Sequence, residues 1–193
     1  MTCDPIARIL TVTLAVSAIG QKSLGQTPSR STSGQVSGQA SARQAITIKE
    51  WTRAKDWTLA YIAKMPDEHL GYRPVPEVRS FAEQMLHLAY WNFGFTAKCF
   101  GRKTPYQESE LSTDAFNTKS KLTAIVAESY DFVISGLETM PDEQLQQPFE
   151  VRGGTTQLCI ERLNDGYEHQ THHRGQAVLY LRLKGLEPPV EPF

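Results

Sequence analysis

The chain has 193 residues, enough for one domain with a packed interior, and 20 basic against 21 acidic side chains give a formal net charge of -1. Neither sign forms a long run, which excludes the basic stripe of a dedicated nucleic-acid surface. Three Trp, seven Tyr and eight Phe can fill a core, whereas three cysteines without a C-x-x-C pair are too few for a disulfide scaffold.

Arg8 precedes an apolar run, Ile9 to Ile19, and Gly20 follows it. The run is too short to span a bilayer and suits the core of a signal peptide, with Ala18-Ile19-Gly20 offering small residues for cleavage before Gln21. Asp4 weakens the positive start, and an uncleaved membrane-associated helix is the alternative. Cysteine does not follow the run, so a lipoprotein anchor is not expected, and with the signal cleaved no stable membrane anchor is expected either. The mature protein is therefore expected to be exported, periplasmic or secreted, after loss of residues 1–20. Residues 21–43 are rich in Ser, Gly and Gln and cannot bury enough surface to offset their ordering entropy, which predicts a disordered linker. The folded domain is then residues 44–193.

Four helical stretches follow. The first opens with a capping-box pattern at Thr47 and Glu50 and runs to Met65, with Trp51, Ala54, Thr58 and Ile62 as its apolar stripe. A second box, Ser80 with Glu83, opens a stretch that runs to Phe100 before Gly101 and carries Phe81, Met85, Leu88, Trp91 and Phe95. Apolar over most of its surface, it reads as a helix inside a bundle. The third stretch is Thr118 to Met140, carrying Leu122, Ile125, Val126, Phe132, Val133 and Leu137. The fourth runs from Thr156 to Lys184, with Gly185 as its C-terminal cap; Gly166 and Gly175 inside it each cost about 1 kcal/mol relative to Ala. Phe149-Glu150-Val151 is too short to be read as a strand. The fold class is all-α, a four-helix bundle. Met65-Pro66-Asp67-Glu68 and Met140-Pro141-Asp142-Glu143 each follow a helix, which reads either as an internal repeat of two halves or as a helix stop that recurs by chance.

Three of the five histidines lie in Glu168-His169-Gln170-Thr171-His172-His173-Arg174-Gly175-Gln176. On a helix, four residues turn about 40° net and rise about 6 Å, so His169 and His173 offer two imidazoles from one face to one metal ion. His172 is offset around the helix. His87, on the second stretch, is the best third ligand; His69 lies in a loop. Asp165, one turn before His169, is a fourth ligand or orients His169 through its second ring nitrogen. Gln176 and Tyr180 fall on the same stripe and are expected to line the pocket.

If the second and fourth stretches are antiparallel with His87 level with the His169–His173 pair, residues 80–100 lie beside 178–158 and match almost their whole length. A parallel pairing leaves an offset of about 13 Å. The antiparallel arrangement predicts up-down-down-up order, with Gly101 to Asn117 as the crossover. The same register puts Cys99 level with Cys159. Cys99 lies about 120° around the helix from His87, however, so both cysteines are read as small buried hydrophobes rather than a disulfide.

His87 in Glu-Gln-Met-Leu-His-Leu-Ala-Tyr-Trp-Asn, together with His-Gln-Thr-His-His-Arg-Gly-Gln-Ala-Val-Leu-Tyr-Leu-Arg from His169, resembles the DinB/YfiT-like superfamily of metalloenzymes from about residue 44 to the end. The resemblance implies a four-helix bundle of unusual connectivity and a divalent metal held by three histidines, here His87, His169 and His173. Some members are transferases or isomerases that use a low-molecular-weight thiol, and dimers occur, so a homodimer is an expectation. The export signal departs from the family's usual pattern. Zinc and nickel are both expected, because imidazole suits either.

Three functions are weighed. An exported metalloenzyme, a hydrolase or transferase of a small-molecule substrate, fits three neutral histidines that leave the ion its charge and an open position. A non-catalytic metal- or small-ligand-binding module fits the same residues. A structural staple fits less well, since closed structural sites usually have four protein ligands.

Overall fold

A computed structural model describes residues 33–151 and 153–190, so the expected signal peptide at 1–20 and linker residues 21–32 lie outside it. In chain order the elements are α1 (Ser33–Lys64), α2 (Phe81–Thr96), α3 (Lys119–Thr139), a short α4 (Asp142–Leu145), β1 (Pro148–Glu150), β2 (Thr156–Leu158) and α5 (Cys159–Leu183). The domain is mostly helical, as its sequence pattern predicts. Among the described residues no helix is long and apolar enough to cross a membrane.

Helix α1 starts at Ser33, well ahead of the predicted Thr47, so 33–43 are helical rather than linker. Gln39, Ala40, Ala42, Arg43, Gln44 and Ala45 are good helix formers and favour the extension from 39 onward, whereas Gly34 and Gly38 do not. Thr47 is therefore not a cap: its hydroxyl donates back to the Arg43 carbonyl at 3.0 Å, while Glu50 pairs with Arg53. The second predicted box does form. The Glu83 amide donates to Ser80 Oγ at 3.2 Å, and the Ser80 amide donates to Glu83 Oε2 at 2.8 Å. Helix α2 stops earlier than predicted, at Thr96; a turn follows in which Gly101 adopts φ 62° and Arg102 N–H reaches the Ala97 carbonyl at 2.8 Å. Thr118, read as the first residue of the third stretch, is instead the cap of α3, its hydroxyl accepting from the Lys121 amide.

The predicted fourth helix begins at Cys159, not Thr156, because Thr156–Leu158 pairs antiparallel with Pro148–Glu150. Gly153 and Gly154, at φ 94° and 77°, take left-handed positions that bring the chain back on itself. At the far end, Gly185 at φ 71° closes α5, with Gly185 N–H on the Arg182 carbonyl and Leu186 N–H on the Leu181 carbonyl, both at 2.9 Å.

Helices α2 and α5 run antiparallel. Phe81 packs on Tyr180, His87 on His173, and Phe95 lies beside Gly166, so one helix rises as the other falls. Trp51, Ala54, Thr58 and Ile62 are fully buried, as their spacing predicts. Trp51 meets Tyr130 of α3 and Tyr167 of α5 edge-on, at 5.9 and 5.6 Å. A buried polar chain crosses the same core: Tyr130 hydroxyl lies 2.8 Å from Thr58 Oγ1 and donates to Gln170 Oε1 at 2.9 Å, which also accepts from Arg174. Burial pushes the Tyr130 hydroxyl up to about 12.

The two Met-Pro-Asp-Glu segments adopt one local form. Met65 and Met140 are buried, Pro66 and Pro141 are extended, and each leads into a single helical turn that buries Leu70 or Leu145.

Cys99 and Cys159 form a disulfide, with Cα atoms 5.3 Å apart, which corrects the reading of two free thiols. The register placed them level, and that holds. Helix α2 ends at Thr96, so the ideal helical angle does not carry on to Cys99.

Candidate metal centre

Helix α2 presents His87 and α5 presents His169 and His173, and the three rings gather where the two helices cross. Ring centroids are 5.3 Å apart for His87–His169, 4.7 Å for His87–His173 and 4.4 Å for His169–His173. One ligand atom from each lies within 4.8 Å of the others. The Nε2 atoms of His169 and His173 are 3.1 Å apart. Two nitrogens that share an ion at 2.0–2.1 Å stand about 2.8–3.4 Å apart, so this pair has the spacing of ligands.

The surroundings keep the rings neutral. Burial, then Arg79 and His169, pushes His87 down to about 4. Burial, then His172 and Arg79, pushes His169 down to about 4. Burial, then His169, His87, His172 and Arg79, pushes His173 to about 3. Neutral imidazole is the form that binds metal, so the site is competent at neutral pH without losing protons. Trp91 and Phe95, read from sequence as core, form the aromatic wall around His169, with ring centroids 5.9 and 5.3 Å away. Together the donors fit a divalent ion and could hold one.

Asp165 does not take the predicted place beside the histidines. Its carboxylate accepts from Gln157 of β2 at 3.0 Å and lies 3.6 Å from Arg162. The Nδ1 atoms of His169 and His173 are buried, and among the described residues no carboxylate orients them. Gln176 sits 2.7 Å from His172 Nε2, on the exposed side of α5. Tyr180 is buried and donates to the Arg79 carbonyl at 2.6 Å, which ties α5 to the segment leading into α2. His69 lies in the single turn after α1, and His172, exposed, stands edge-on to His173 with ring centroids 5.0 Å apart but falls outside the group of three.

Two residues near the site have no signal in the sequence. Glu108, in a single helical turn of the α2–α3 crossover, brings a carboxylate oxygen 4.0 Å from His87 Nδ1. Arg79 and Glu108 line, with His87, a cleft of about 290 Å³. Both lie in irregular segments, where periodicity says nothing about facing.

Residues 50–177 match the family model described as the DinB superfamily. The chain belongs to the DinB superfamily. The resemblance carried by the histidine segments is thereby borne out. Among solved structures, a DinB-like protein from Bacillus cereus ATCC 10987 superposes with a TM-score of 0.64 at 18% identity, covering 75% of this chain and 94% of that one. The DinB-like protein YjoA from Bacillus subtilis gives 0.58 at 21%, covering 76% and 96%. A conserved protein from Enterococcus faecalis gives 0.59 at 19%, covering 72% and 95%. At such identities these likenesses show the fold. No curated protein matches the chain.

Proposed function

We propose that this DinB-superfamily domain is an exported divalent-metal protein in which His87, His169 and His173 hold zinc or nickel, and that it is a hydrolase or transferase of a small molecule. The carrying observation is the convergence of three neutral imidazoles, with His169 and His173 Nε2 only 3.1 Å apart. Three uncharged ligands leave the ion its full charge and an open position, and a bound ion would supply a polarised oxygen or a water of lowered pKa. The chain's own residues hold the ligands in place. His87 is fixed by α2, whose start is anchored by the Ser80–Glu83 box, and Trp91 and Phe95 exclude water from one side of His169.

An up-down-down-up bundle order belongs to the same reading. The antiparallel α2–α5 contacts support it, as does the parallel run of α2 beside α3, where Asn92 meets Ser129 and Phe93 meets Phe132. The Cys99–Cys159 disulfide supports export, because such bonds persist in oxidising compartments. Metal analysis of the purified chain should find about one zinc or nickel per chain. Mass spectrometry of the mature N-terminus should find residues 1–20 missing. Metal-free protein, or intact Met1 in the cytosol, would each defeat the corresponding half. A hydrolase and thiol-transfer substrate screen of the loaded protein then separates the reaction classes.

A further inference from the structure

We infer that the cleft beside the three histidines takes a small monocarboxylate with an apolar body, and that Arg79 receives the carboxylate. The inference rests on the metal reading above and names the substrate class of that same site.

The cleft measures about 290 Å³, at the small end for ligand sites. His87 opens onto it. Leu86 and Leu111, buried at 2% and 7% exposure, and the ring of Tyr90 give it apolar walls. Arg79 stands at its edge, exposed, and among the described residues its guanidinium has no ion-pair or hydrogen-bond partner. The neighbouring cation differs: Arg73 pairs with Glu83 and donates to the Val78 carbonyl at 2.7 Å. Glu83 also accepts from the Ser80 amide, so its charge is already satisfied. Glu108 is the remaining carboxylate on the cleft.

Charge then selects the ligand. With neutral histidines, a divalent ion and Arg79 contribute three positive charges against one negative charge from Glu108, so the cleft favours an anion. A planar guanidinium presents a fork that matches a carboxylate with two parallel hydrogen bonds. Glu108 opposes a second negative charge, which favours a monocarboxylate over a dianionic phosphate. Arg79 is held for this part at its backbone, where its carbonyl accepts the Tyr180 hydroxyl at 2.6 Å and the next residue, Ser80, caps α2. Its positive charge reaches all three imidazoles and contributes to the lowered pKa of each.

The test uses benzoate, with benzamide as its uncharged near-isostere, titrated into the full chain in cobalt-loaded and metal-free form. Visible absorption reads the loaded protein and intrinsic tryptophan fluorescence reads both. Wild type should bind benzoate at least tenfold more tightly than benzamide. R79Q should lose that preference by tenfold or more at unchanged metal content and melting temperature, and R79K should restore part of it. Equal binding of the two probes to wild type, or benzoate affinity in R79Q within twofold of wild type, overturns the inference. If wild type fails to take up metal while the metal-free chain still shows an Arg79-dependent preference for benzoate, the metal reading falls and the assignment of Arg79 stands.

Discussion

Cys99 and Cys159 join the turn after α2 to the first residue of α5, across 60 residues of chain. These are the two helices that carry every candidate metal ligand. Closing a loop of that size removes about 4 kcal/mol of unfolded-state entropy in the simple chain model. Reduction, or the double variant C99S/C159S, should lower the melting temperature by about 10 °C. Paired thermal melts with and without dithiothreitol measure it, and coincident melts would show that the bond contributes nothing.

The glycines of the bundle divide by what a methyl group would meet. A Cβ at Gly136 would come within 2.4 Å of the Phe100 ring, so α3 and the turn after α2 approach closely there. G136A should destabilise by about 1–3 kcal/mol through overpacking. A Cβ at Gly175 meets nothing within 4 Å, and the residue is exposed in the interior of α5. G175A should stabilise by about 0.5–1 kcal/mol by removing backbone freedom from the unfolded chain. Chemical denaturation of the two variants reads both signs, and a loss of stability in G175A would show that α5 is more crowded there than its backbone indicates.

Acid should weaken the metal-free protein through the histidine cluster. Free imidazole titrates near 6.5, whereas His87, His169 and His173 are held at about 4, 4 and 3 in the fold. Between these values the unfolded chain binds more protons than the folded one. Stability is therefore complete above about pH 6.5 and falls as the pH drops towards 4. A loss of about 2–3 kcal/mol from pH 7 to pH 5 is expected after allowing for solvent screening. Denaturant midpoints of the stripped protein across that range test it. The triple variant H87A/H169A/H173A should lose most of the slope, and an unchanged slope would place the acid sensitivity elsewhere.

Much of this was legible in the residues because helical periodicity is a strong signal over twenty positions. The Ser80–Glu83 box, the fully buried stripe of Trp51, Ala54, Thr58 and Ile62, and the Gly185 cap all form as their spacing predicts. The failures share a cause, which is reading a local pattern beyond the element that owns it. Thr47 and Glu50 have box spacing, but α1 begins earlier and places both in a helix interior, where Thr47 bonds back to Arg43. A helical angle does not extend to Cys99, because α2 ends at Thr96. Asp165 has the spacing to face His169, yet Gln157 of a three-residue strand too short to show periodicity captures its carboxylate. Arg79 and Glu108 reach the site from irregular segments, whose course depends on tertiary packing.

The most direct test of the account is metal content per chain for the five single variants H69A, H87A, H169A, H172A and H173A. The two control positions lie outside the cluster: His172 meets Gln176 on the exposed face of α5, and His69 belongs to the turn after α1. The account predicts about one ion per chain for wild type, H69A and H172A, and sharply reduced metal in H87A, H169A and H173A. Those three should also lose the rise in melting temperature that metal gives the wild type, since an ion that binds only the folded state stabilises it by mass action. Equal loss across all five, or full occupancy in H87A, would contradict the assignment.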